Sequence, residues 1–511
     1  MAKAVIRKLG SIGIIKDAAT WELPPEAWSD GQNVRCADGQ VGSFGGHSTF
    51  ATPTVTPYYL LPVAAGTAYY WVYPGLAKVY VYDGSSHTNI TRQSASVDVD
   101  YTGTATDRWN GGVLNGLPVL NNGVDVPQMW APVSTGTKLQ ALTGWDANWK
   151  CKVLRPFKYF LIALNMTESG THYGNKLRWS TSADPGSVPS AWTPASSNNA
   201  GSDIVETDGF IVDGLGLNDE FIIYAEDGAQ AMAFVGGNDV FQFRNVDIPG
   251  MLAQGCAANF QGRHLVVGNG DVYIHDGHSY KSVIDKKNRD FLFADIDSDN
   301  YESMYVTPYH SKGEIWICYP TSGNTLPNKA LIWNYNDNTW FFRDLPSNTA
   351  FLTTGIVSST AIANWADLPY SNWADWGGSW GERTYSPTDK ALIGASDNIY
   401  QFDDGTQFGG VNPTCFIERT GIDIGNTDDI HSVTRIYPLV EGDSVQISVG
   451  SQMTPNASVN WSSPVTFDPS TDYKIDCLVT GRFHSIRFKS TDGGDWSVSG
   501  YGVEYEYSGS Q

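Results

Sequence analysis

Three aspartates spaced two residues apart form the first pattern in the sequence that could do chemistry. Asp295, Asp297 and Asp299 lie in the string ADIDSDN, and alternating carboxylates of this kind open calcium-binding loops. The rest of such a loop does not follow, because Asn300 stands where it needs glycine and Val306 stands where it needs glutamate. These aspartates are weak candidates for a cation site, and the sequence favours a solvated acidic turn.

Two histidines, His275 and His278, flank an Asp-Gly pair. A pair with this spacing can bind a metal ion if a third ligand lies close by. Both fall at the tip of a predicted hairpin, where no helix aligns them, so the sequence does not support a metal site. No cofactor is predicted, and no spacing of residues singles out a catalytic group.

Four tryptophans crowd a short insertion near residues 364–387. Trp365, Trp373, Trp376 and Trp380 lie in NWADLPYSNWADWGGSW, where Asn-Trp-Ala-Asp occurs twice. Tryptophan anchors protein interfaces because it is large and stiff and carries one N–H donor. We take the four residues as interface candidates, with two alternatives: stacking on a sugar, or a loop that folds back over the body of the protein.

The elements that must position these residues are short strands. Hydrophobic residues make up 41% of the 511-residue chain and aromatic residues 13%, which supports a folded core over most of its length. Windows with helical periodicity are scarce, whereas short runs of Val, Ile, Tyr, Phe and Trp alternate with Gly, Asn, Asp and Pro. The sequence therefore predicts an all-β protein.

A hairpin unit recurs along the middle of the chain. An apolar strand, a turn with glycine and a strand with an aromatic second residue appear in WVYPGLAKVYVYDG, AFVGGNDVFQFRN, VVGNGDVYIHDG and LIGASDNIYQFDDG. The aromatic residues, Tyr80, Phe241, Tyr273 and Tyr400, are predicted to share one face and one role. Irregular repetition of this unit predicts a β-propeller of six or seven blades, with a tandem of β-sandwiches as the alternative.

The pattern divides the chain into three parts. Residues 1–50 are predicted to form an N-terminal segment that packs on the propeller or on a neighbouring subunit. Residues 51–412 form the propeller, which carries the tryptophan-rich insertion. The sequence pattern differs in residues 413–511, where strand-like runs are regularly spaced. These residues are predicted to form a β-sandwich-like domain.

Charge and cysteine content exclude several classes of protein. The formal net charge is −22, which argues against a broad duplex-binding face but allows contact with DNA that must slide. The six cysteines lie far apart without a C-x-x-C motif, so we expect six reduced, buried thiols and synthesis in a cytoplasm. The N-terminus has no signal-peptide pattern, and no apolar run is long enough to predict a membrane span.

Several strings resemble the tail nozzle proteins of short-tailed bacteriophages, the tail tubular protein B-like family. The first is LPPEAWSDGQNVRCADGQVGSFGG at Leu23–Gly46, which is similar to the opening of that family. LRWSTSADPGSVPSAWTP at 177–194 and FVGGNDVFQFRN at 234–245 resemble its propeller strands. The tryptophan-rich loop and the ending, GRFHSIRFKS followed by WSVSGYGVEYEY, are also similar, and the strings occur in the same order.

This resemblance implies a non-enzymatic structural protein of the virion tail, made in the bacterial host cytoplasm. Such proteins form a six-fold ring of identical subunits below the adaptor ring of the portal, and they contact tail fibres or spikes. The ring surrounds the DNA exit channel, retains the genome and opens for ejection, so genomic DNA passes it without specific binding. No catalytic residue is implied.

Two other functions remain open at this point. A glycan-binding or glycan-cleaving tail component would use the exposed tryptophans to stack sugars. A propeller that acts as an interaction scaffold outside any virus particle would be a stable monomer.

Overall fold

The computed structural model describes residues 2–66, 68–207, 209–237, 239–357, 390–425 and 428–510. These residues are nearly all in strands, turns and loops, which confirms the predicted all-β class. The described helical elements are α1 (Arg289–Asp295) and 3₁₀ turns at Thr20–Glu22, Tyr301–Ser303 and His310–Lys312. None of the helices described here has the length and apolarity needed to cross a membrane.

Five short strands precede the repeated sheets. They are β1 (Ala2–Arg7), β2 (Asp30–Gln32), β3 (Val34–Ala37), β4 (Gln40–Ser43) and β5 (His47–Ala51).

Within the described ranges, seven four-stranded antiparallel sheets then follow one another along the chain. The first contains β6 (Leu61–Ala65), β7 (Ala68–Pro74), β8 (Val79–Tyr82) and β9 (His87–Asn89), and a hairpin of β10 (Gln93–Ser94) and β11 (Val97–Asp98) follows it. The second contains β12 (Asn110–Leu114), β13 (Leu117–Asn121), β14 (Gln128–Met129) and β15 (Gln140–Ala141). The third contains β16 (Trp149–Phe157), β17 (Phe160–Glu168), β18 (Thr171–Trp179) and β19 (Gly201–Ile204).

The next three sheets repeat this up-and-down order. The fourth contains β20 (Ile211–Leu217), β21 (Glu220–Ala225), β22 (Ala229–Phe234) and β23 (Phe241–Val246). The fifth contains β24 (Ala257–Phe260), β25 (Arg263–Val267), β26 (Val272–His275) and β27 (Tyr280–Ser282). The sixth contains β28 (Tyr305–Tyr309), β29 (Glu314–Tyr319), β30 (Lys329–Asn334) and β31 (Thr339–Asp344).

The seventh sheet is assembled from both ends of this region. Its first three strands are β32 (Phe351–Ile356), β33 (Lys390–Ala395) and β34 (Ile399–Phe402), and its fourth is β5 from the N-terminal segment. Neighbouring sheets touch through their first strands, as β16 does with β12 and β20. β32 of the seventh sheet contacts β6 of the first, and β6 also contacts β13 of the second.

The remaining strands form a C-terminal sheet pair. They are β35 (Phe416–Asp423), β36 (Asp429–Gly442), β37 (Val445–Gln452), β38 (Asn460–Trp461), β39 (Val465–Phe467), β40 (Ile475–Gly481), β41 (Phe483–Ser490) and β42 (Trp496–Ser510). One sheet has the order β3-β4-β42-β36-β40, with β1 also on β42. The other has the order β2-β35-β41-β37-β38, with β39 on β37. The inner residues of both sheets share one hydrophobic cluster, in which Phe488 of β41 meets Tyr501 of β42.

The N-terminal segment joins these parts. β1 and β4 pair with β42, β2 pairs with β35, and β5 completes the seventh sheet. The segment also lies along the sixth sheet, where Gly13 forms a bridge with Trp340 and the Asn33 amide donates to Asp344 at 2.8 Å. Residues near the start of the chain therefore tie the sixth and seventh sheets to the C-terminal sheet pair.

Three of the four aromatic hairpin positions are equivalent in the structure. Tyr80, Tyr273 and Tyr400 each lie on the third strand of a sheet, in β8, β26 and β34. Phe241 begins the fourth strand of its sheet, β23, so the prediction of one shared role fails for it. The reason is that the hairpin AFVGGNDVFQF connects strands three and four, whereas the others connect strands two and three, and the two kinds of turn have similar sequences.

A buried group of charges lies where the N-terminal segment meets the sixth and seventh sheets. This junction cluster consists of Arg35, Glu314, Arg343 and Asp403. The Arg35 guanidinium donates to Glu314 Oε1 at 2.6 Å and to Asp403 Oδ2 at 2.8 Å. Burial lowers the pKa of Arg343 to about 9, against the opposing effect of Asp403, so the side chain remains protonated at neutral pH.

Aromatic rings surround the Arg343 guanidinium. Its central carbon lies 4.6 Å from the ring centroids of Phe44 and Phe402, and 4.7 Å from that of Phe408. Cation–π attraction of this kind strengthens when the cation is desolvated, as it is here. The rings come from the N-terminal segment and from the end of β34 and the loop that follows it, so the Arg343 cation of β31 brings three separate chain segments together.

The cysteines follow the sequence prediction with one difference. All six are free within the described residues, and five are buried. Cys477 is half-buried, because it lies on β40 at the edge of its sheet.

Candidate functional site in the central cavity

A polar cavity of about 830 Å³ opens where the first strands of the second to sixth sheets begin. Its walls come from the residues that precede those strands, from the turns after the second strands, and from the region of α1. The charged side chains that line it are Asp107, Arg108, Lys150, Lys152, Glu226, Asp227 and Glu302. Both signs of charge are mixed, so the cavity has no single-sign field that would select one charged ligand.

An ion pair lies in the smaller cavity that adjoins it. Arg155 of β16 donates from Nε and Nη2 to the two carboxylate oxygens of Asp213 on β20, at 2.8 and 2.7 Å. Asp213 also accepts the backbone N–H of Gly255 at 2.8 Å. Burial acts to lower the pKa of Arg155, but the Asp213 carboxylate outweighs it and raises that pKa above its ordinary value. The pair links the third, fourth and fifth sheets through fully satisfied hydrogen bonds.

Arg108 also connects sheets, through hydrogen bonds to backbone carbonyls. Its Nη1 atom lies 2.5 Å from the carbonyl oxygen of Gln254, 2.9 Å from that of Glu302 and 2.6 Å from that of Met304. Burial lowers the pKa of this guanidinium below its ordinary value. Since three backbone carbonyls surround its Nη1 atom, Arg108 acts as a structural connection between sheets.

Two other groups at the wall are also poor candidates for catalysis. Nε2 of His172 lies 2.6 Å from the amide oxygen of Asn165, in a hydrogen bond between neighbouring strands. Burial raises the pKa of the Cys151 thiol above its ordinary value, so the nucleophilic thiolate is disfavoured. These contacts hold the sheets together around the cavity.

The structure separates the three aspartates of ADIDSDN. Asp295 accepts a hydrogen bond from the Tyr319 hydroxyl at 3.0 Å and forms an ion pair with Lys329 at 3.2 Å. Asp297 accepts backbone N–H groups, including that of Gly323, and these lower its pKa. Asp299 is exposed. In the described part of the chain, no three His, Cys, Asp or Glu side chains come together as metal ligands.

The structure also places the two histidines of the H-x-x-H pair in different surroundings. His275 is buried and Nε2 lies 2.6 Å from the hydroxyl of Tyr224, whereas His278 is exposed. The same hydroxyl lies 2.6 Å from Nδ1 of His264, whose Nε2 donates to the Gly216 carbonyl at 2.9 Å. Every ring nitrogen of this Tyr224–histidine network has a partner when both imidazoles are neutral, because His275 Nδ1 accepts the N–H of Gly277.

Protonation of this network is expected to destabilise the protein in mild acid. Burial lowers the pKa of His264 to about 4 and, together with the nearby His264, lowers that of His275 to about 3. Both values lie below the pKa of about 6.5 that a histidine has in the unfolded chain. The stability that the two neutral imidazoles contribute is therefore complete above pH 6.5 and is lost as the pH falls. When the pH is lowered from 6.5 to 5.5, the two histidines together should reduce the free energy of unfolding by about 2 kcal/mol.

Urea denaturation at several pH values measures this loss, and the variant His275→Gln should reduce it by about half over the same interval. A profile that is unchanged in the variant would contradict the assignment, whatever the variant's absolute stability.

The four interface candidates, Trp365, Trp373, Trp376 and Trp380, lie outside the described residues. Sequence reasoning missed Arg108, Arg155 and Asp213, which hold the sheets around the cavity. Their partners in other sheets lie 42 to 196 residues away, so no local spacing marks them. The available local signal is that Asp213 is a charged residue in the otherwise apolar strand β20.

No family model matches the chain, and no curated protein matches it either.

Proposed function

We propose that this chain is a structural subunit of a virion tail, one copy in a six-fold nozzle ring around the DNA exit channel. The observation that carries the proposal is the position of the string Leu23–Gly46, the first of the strings whose shared order resembles nozzle proteins. It supplies β2, β3 and β4, which join the sixth sheet to the C-terminal sheet pair. The resembling residues therefore lie where the sixth sheet meets the C-terminal sheet pair.

The fold within this proposal is a seven-bladed β-propeller with a β-sandwich-like domain at its C-terminal side. Each four-stranded sheet is a blade, with its first strand nearest the axis. β5 supplies the outer strand of the last blade, so a strand from the start of the chain closes the ring of blades. The contact of β32 with β6 and the links through Arg108 and Arg155 support this arrangement.

The role suits the chemistry of the cavity and the charge of the chain. Arg108, Arg155 and Asp213 are engaged in connections between sheets, and the formal net charge is −22. A ring with acidic residues at its lumen repels the phosphate backbone, so DNA slides through without binding. The ring contacts the portal-adaptor ring above it and tail fibres or spikes at its side, retains the genome, and opens for ejection.

Electron microscopy of native particles that contain this chain, labelled at the C-terminus, tests the proposal. Six labels arranged around the particle axis are expected. A peripheral trimer, or particles without density for the chain, would contradict the nozzle role. Particles with a neighbouring tail protein labelled in the same way serve as the control for label visibility.

Weak DNA binding is a second expected result. Non-specific binders hold duplex DNA with dissociation constants of about 10⁻⁴ to 10⁻⁶ M at physiological salt, through lysine and arginine contacts to phosphates. The purified protein should bind more weakly than about 10⁻⁴ M, because its acidic residues outnumber its basic ones by 54 to 32. Fluorescence anisotropy with a labelled duplex measures this, and micromolar binding would rule out a repulsive lumen.

A further inference from the structure

A second cavity, of about 360 Å³, lies between the two sheets of the C-terminal sheet pair. Its walls are mostly aliphatic and come from both sheets: Ile422, Val433, Ile436, Val449, Ile486 and Val503. The strand β1 and the 3₁₀ turn at Thr20–Glu22 border its mouth. A cavity of this size and polarity falls at the lower end of the range that small-molecule ligands occupy.

A buried cation lines this apolar cavity without an acidic partner. Arg419 is 3% exposed, and its terminal nitrogens donate to three backbone carbonyls, those of Thr20, Leu23 and Thr420. Its Nε–H is buried and has no hydrogen-bond partner among the described residues. Burial lowers the pKa of Arg419 to about 10, so the charge persists at neutral pH.

A phenol beside it is also unsatisfied. Tyr501 is 1% exposed and lines the same cavity, and its hydroxyl finds no partner in the described structure. Burial raises the pKa of Tyr501, against the opposing effect of the Arg419 charge, so the phenol is a neutral donor. Two buried donors without acceptors are costly to leave unpaired, and both line one cavity.

The backbone is irregular where these groups meet. The register of β35 against β41 shifts between Arg419 and Ile422, a bulge that contains Gly421 at φ +70°. A side chain at Gly421 would collide with Thr20, whose carbonyl holds Arg419. Bulges occur preferentially next to functional sites, where they redirect a side chain.

The other ionisable groups of the cavity do not neutralise Arg419. Asp423 lies at the mouth, and the charges that act on its pKa, after burial, are those of His431, Arg482 and Asp429. His484 lines the wall from β41. Burial, assisted by His431, lowers the pKa of His484 to about 4, so it is neutral at physiological pH.

We propose that this cavity binds a small amphipathic monocarboxylate, such as a medium-chain fatty acid. Its carboxylate accepts hydrogen bonds from Arg419 Nε–H and the Tyr501 hydroxyl, and its hydrocarbon chain fills the aliphatic space between the sheets. A guanidinium next to a phenol is a strong carboxylate site because both hydrogen bonds are charge-assisted. The site lies apart from the central cavity, and the inference does not depend on the proposed nozzle role.

Isothermal titration calorimetry of the full-length protein with sodium decanoate tests the proposal, and 1-decanol is the matched neutral ligand. We expect saturable binding of one decanoate per chain below about 1 mM, with decanol bound at least tenfold more weakly. Tyr501→Phe removes one hydroxyl and keeps the ring, so it should weaken decanoate binding by about tenfold. Equal affinity for both ligands, or binding that does not saturate, would overturn the proposal.

Tyr437→Phe is the control variant, because the Tyr437 hydroxyl donates to Glu504 at 2.7 Å and does not line the cavity. It should leave decanoate affinity unchanged. A second variant, Val449→Phe, fills the cavity and should abolish binding. Unchanged affinity in Tyr501→Phe would place decanoate at another site and overturn the assignment even if Val449→Phe does not fold.

Discussion

Replacing Glu314 by alanine is expected to lower the free energy of unfolding by about 3 kcal/mol. Glu314 is completely buried, and its carboxylate accepts Arg35 Nε at 2.6 Å and the indole N–H of Trp316 at 3.0 Å. Removal of the acid leaves a half-buried guanidinium and a buried indole donor without this acceptor. The loss falls at the lower end of the range for broken buried pairs, because Arg35 keeps its bond to Asp403.

The pKa of Glu314 also reflects the cost of burying its carboxylate. Burial raises the pKa of Glu314 although Arg35 opposes it, so the desolvation of this carboxylate is only partly offset. The pair therefore adds little net stability compared with an apolar pair, and its importance appears when one partner alone is removed. The double variant Arg35→Met/Glu314→Leu should recover only part of the stability that Glu314→Ala loses, because it also removes the Arg35 bond to Asp403 and leaves the Trp316 indole without its acceptor.

Urea denaturation measures both variants. Glu441→Ala, an exposed position on β36, is the control and should change the unfolding free energy by less than about 0.5 kcal/mol. A Glu314→Ala cost below about 1 kcal/mol would show that water enters the junction cluster and that the charges are not desolvated there.

Local sequence patterns were sufficient for the class of the fold. Strands such as β26 combine β-branched and aromatic residues and end in an Asp-Gly turn, where the Asp276 carboxylate accepts the N–H groups of His278 and Ser279. These hydrogen bonds lower the pKa of Asp276 to about 2 and fix the turn locally. Information of this kind is contained within a few residues, so it can be predicted from sequence.

Long-range partners could not be predicted in the same way. β1 is mostly exposed, and its partner β42 lies at the other end of the chain. The Glu314 carboxylate is buried by Arg35, 279 residues away, so its surroundings leave no local pattern. The same holds for Arg419, because its isolation depends on how two distant sheets meet. The residues that the sequence did single out, Asp295 to Asp299, are instead used in separate turns and ion pairs.

These observations share one physical basis. Strand-forming residues and turns are selected locally, whereas the order of sheets is fixed by a small number of buried polar contacts between chain segments distant in sequence. Arg155 with Asp213, Arg108 with three carbonyls, and the junction cluster are such contacts. Each is costly to break and difficult to form in a wrong arrangement, since an unpaired buried charge opposes any alternative packing.

Substitution of Gly111 by alanine is expected to lower the free energy of unfolding by about 4 kcal/mol, more than the matched change at Gly116. Gly111 lies in β12 with φ +139°, a conformation that side chains rarely adopt. A Cβ atom there would lie 2.1 Å from the carbonyl oxygen of Val119 in the paired strand β13. The next residue, Gly112, faces the Pro156 ring of β16, so the two glycines allow the second and third sheets to approach closely.

Gly116→Ala, in the turn of the same hairpin, provides the control. Gly116 also has a positive φ, +87°, but no heavy atom lies within 4 Å of its added Cβ. It should therefore cost only the backbone strain, about 1–2 kcal/mol. Thermal and urea denaturation of both variants measure the difference. Similar costs at the two positions would mean that β12 moves away from β13 without penalty, and the close contact of the second and third sheets would then not be needed for stability.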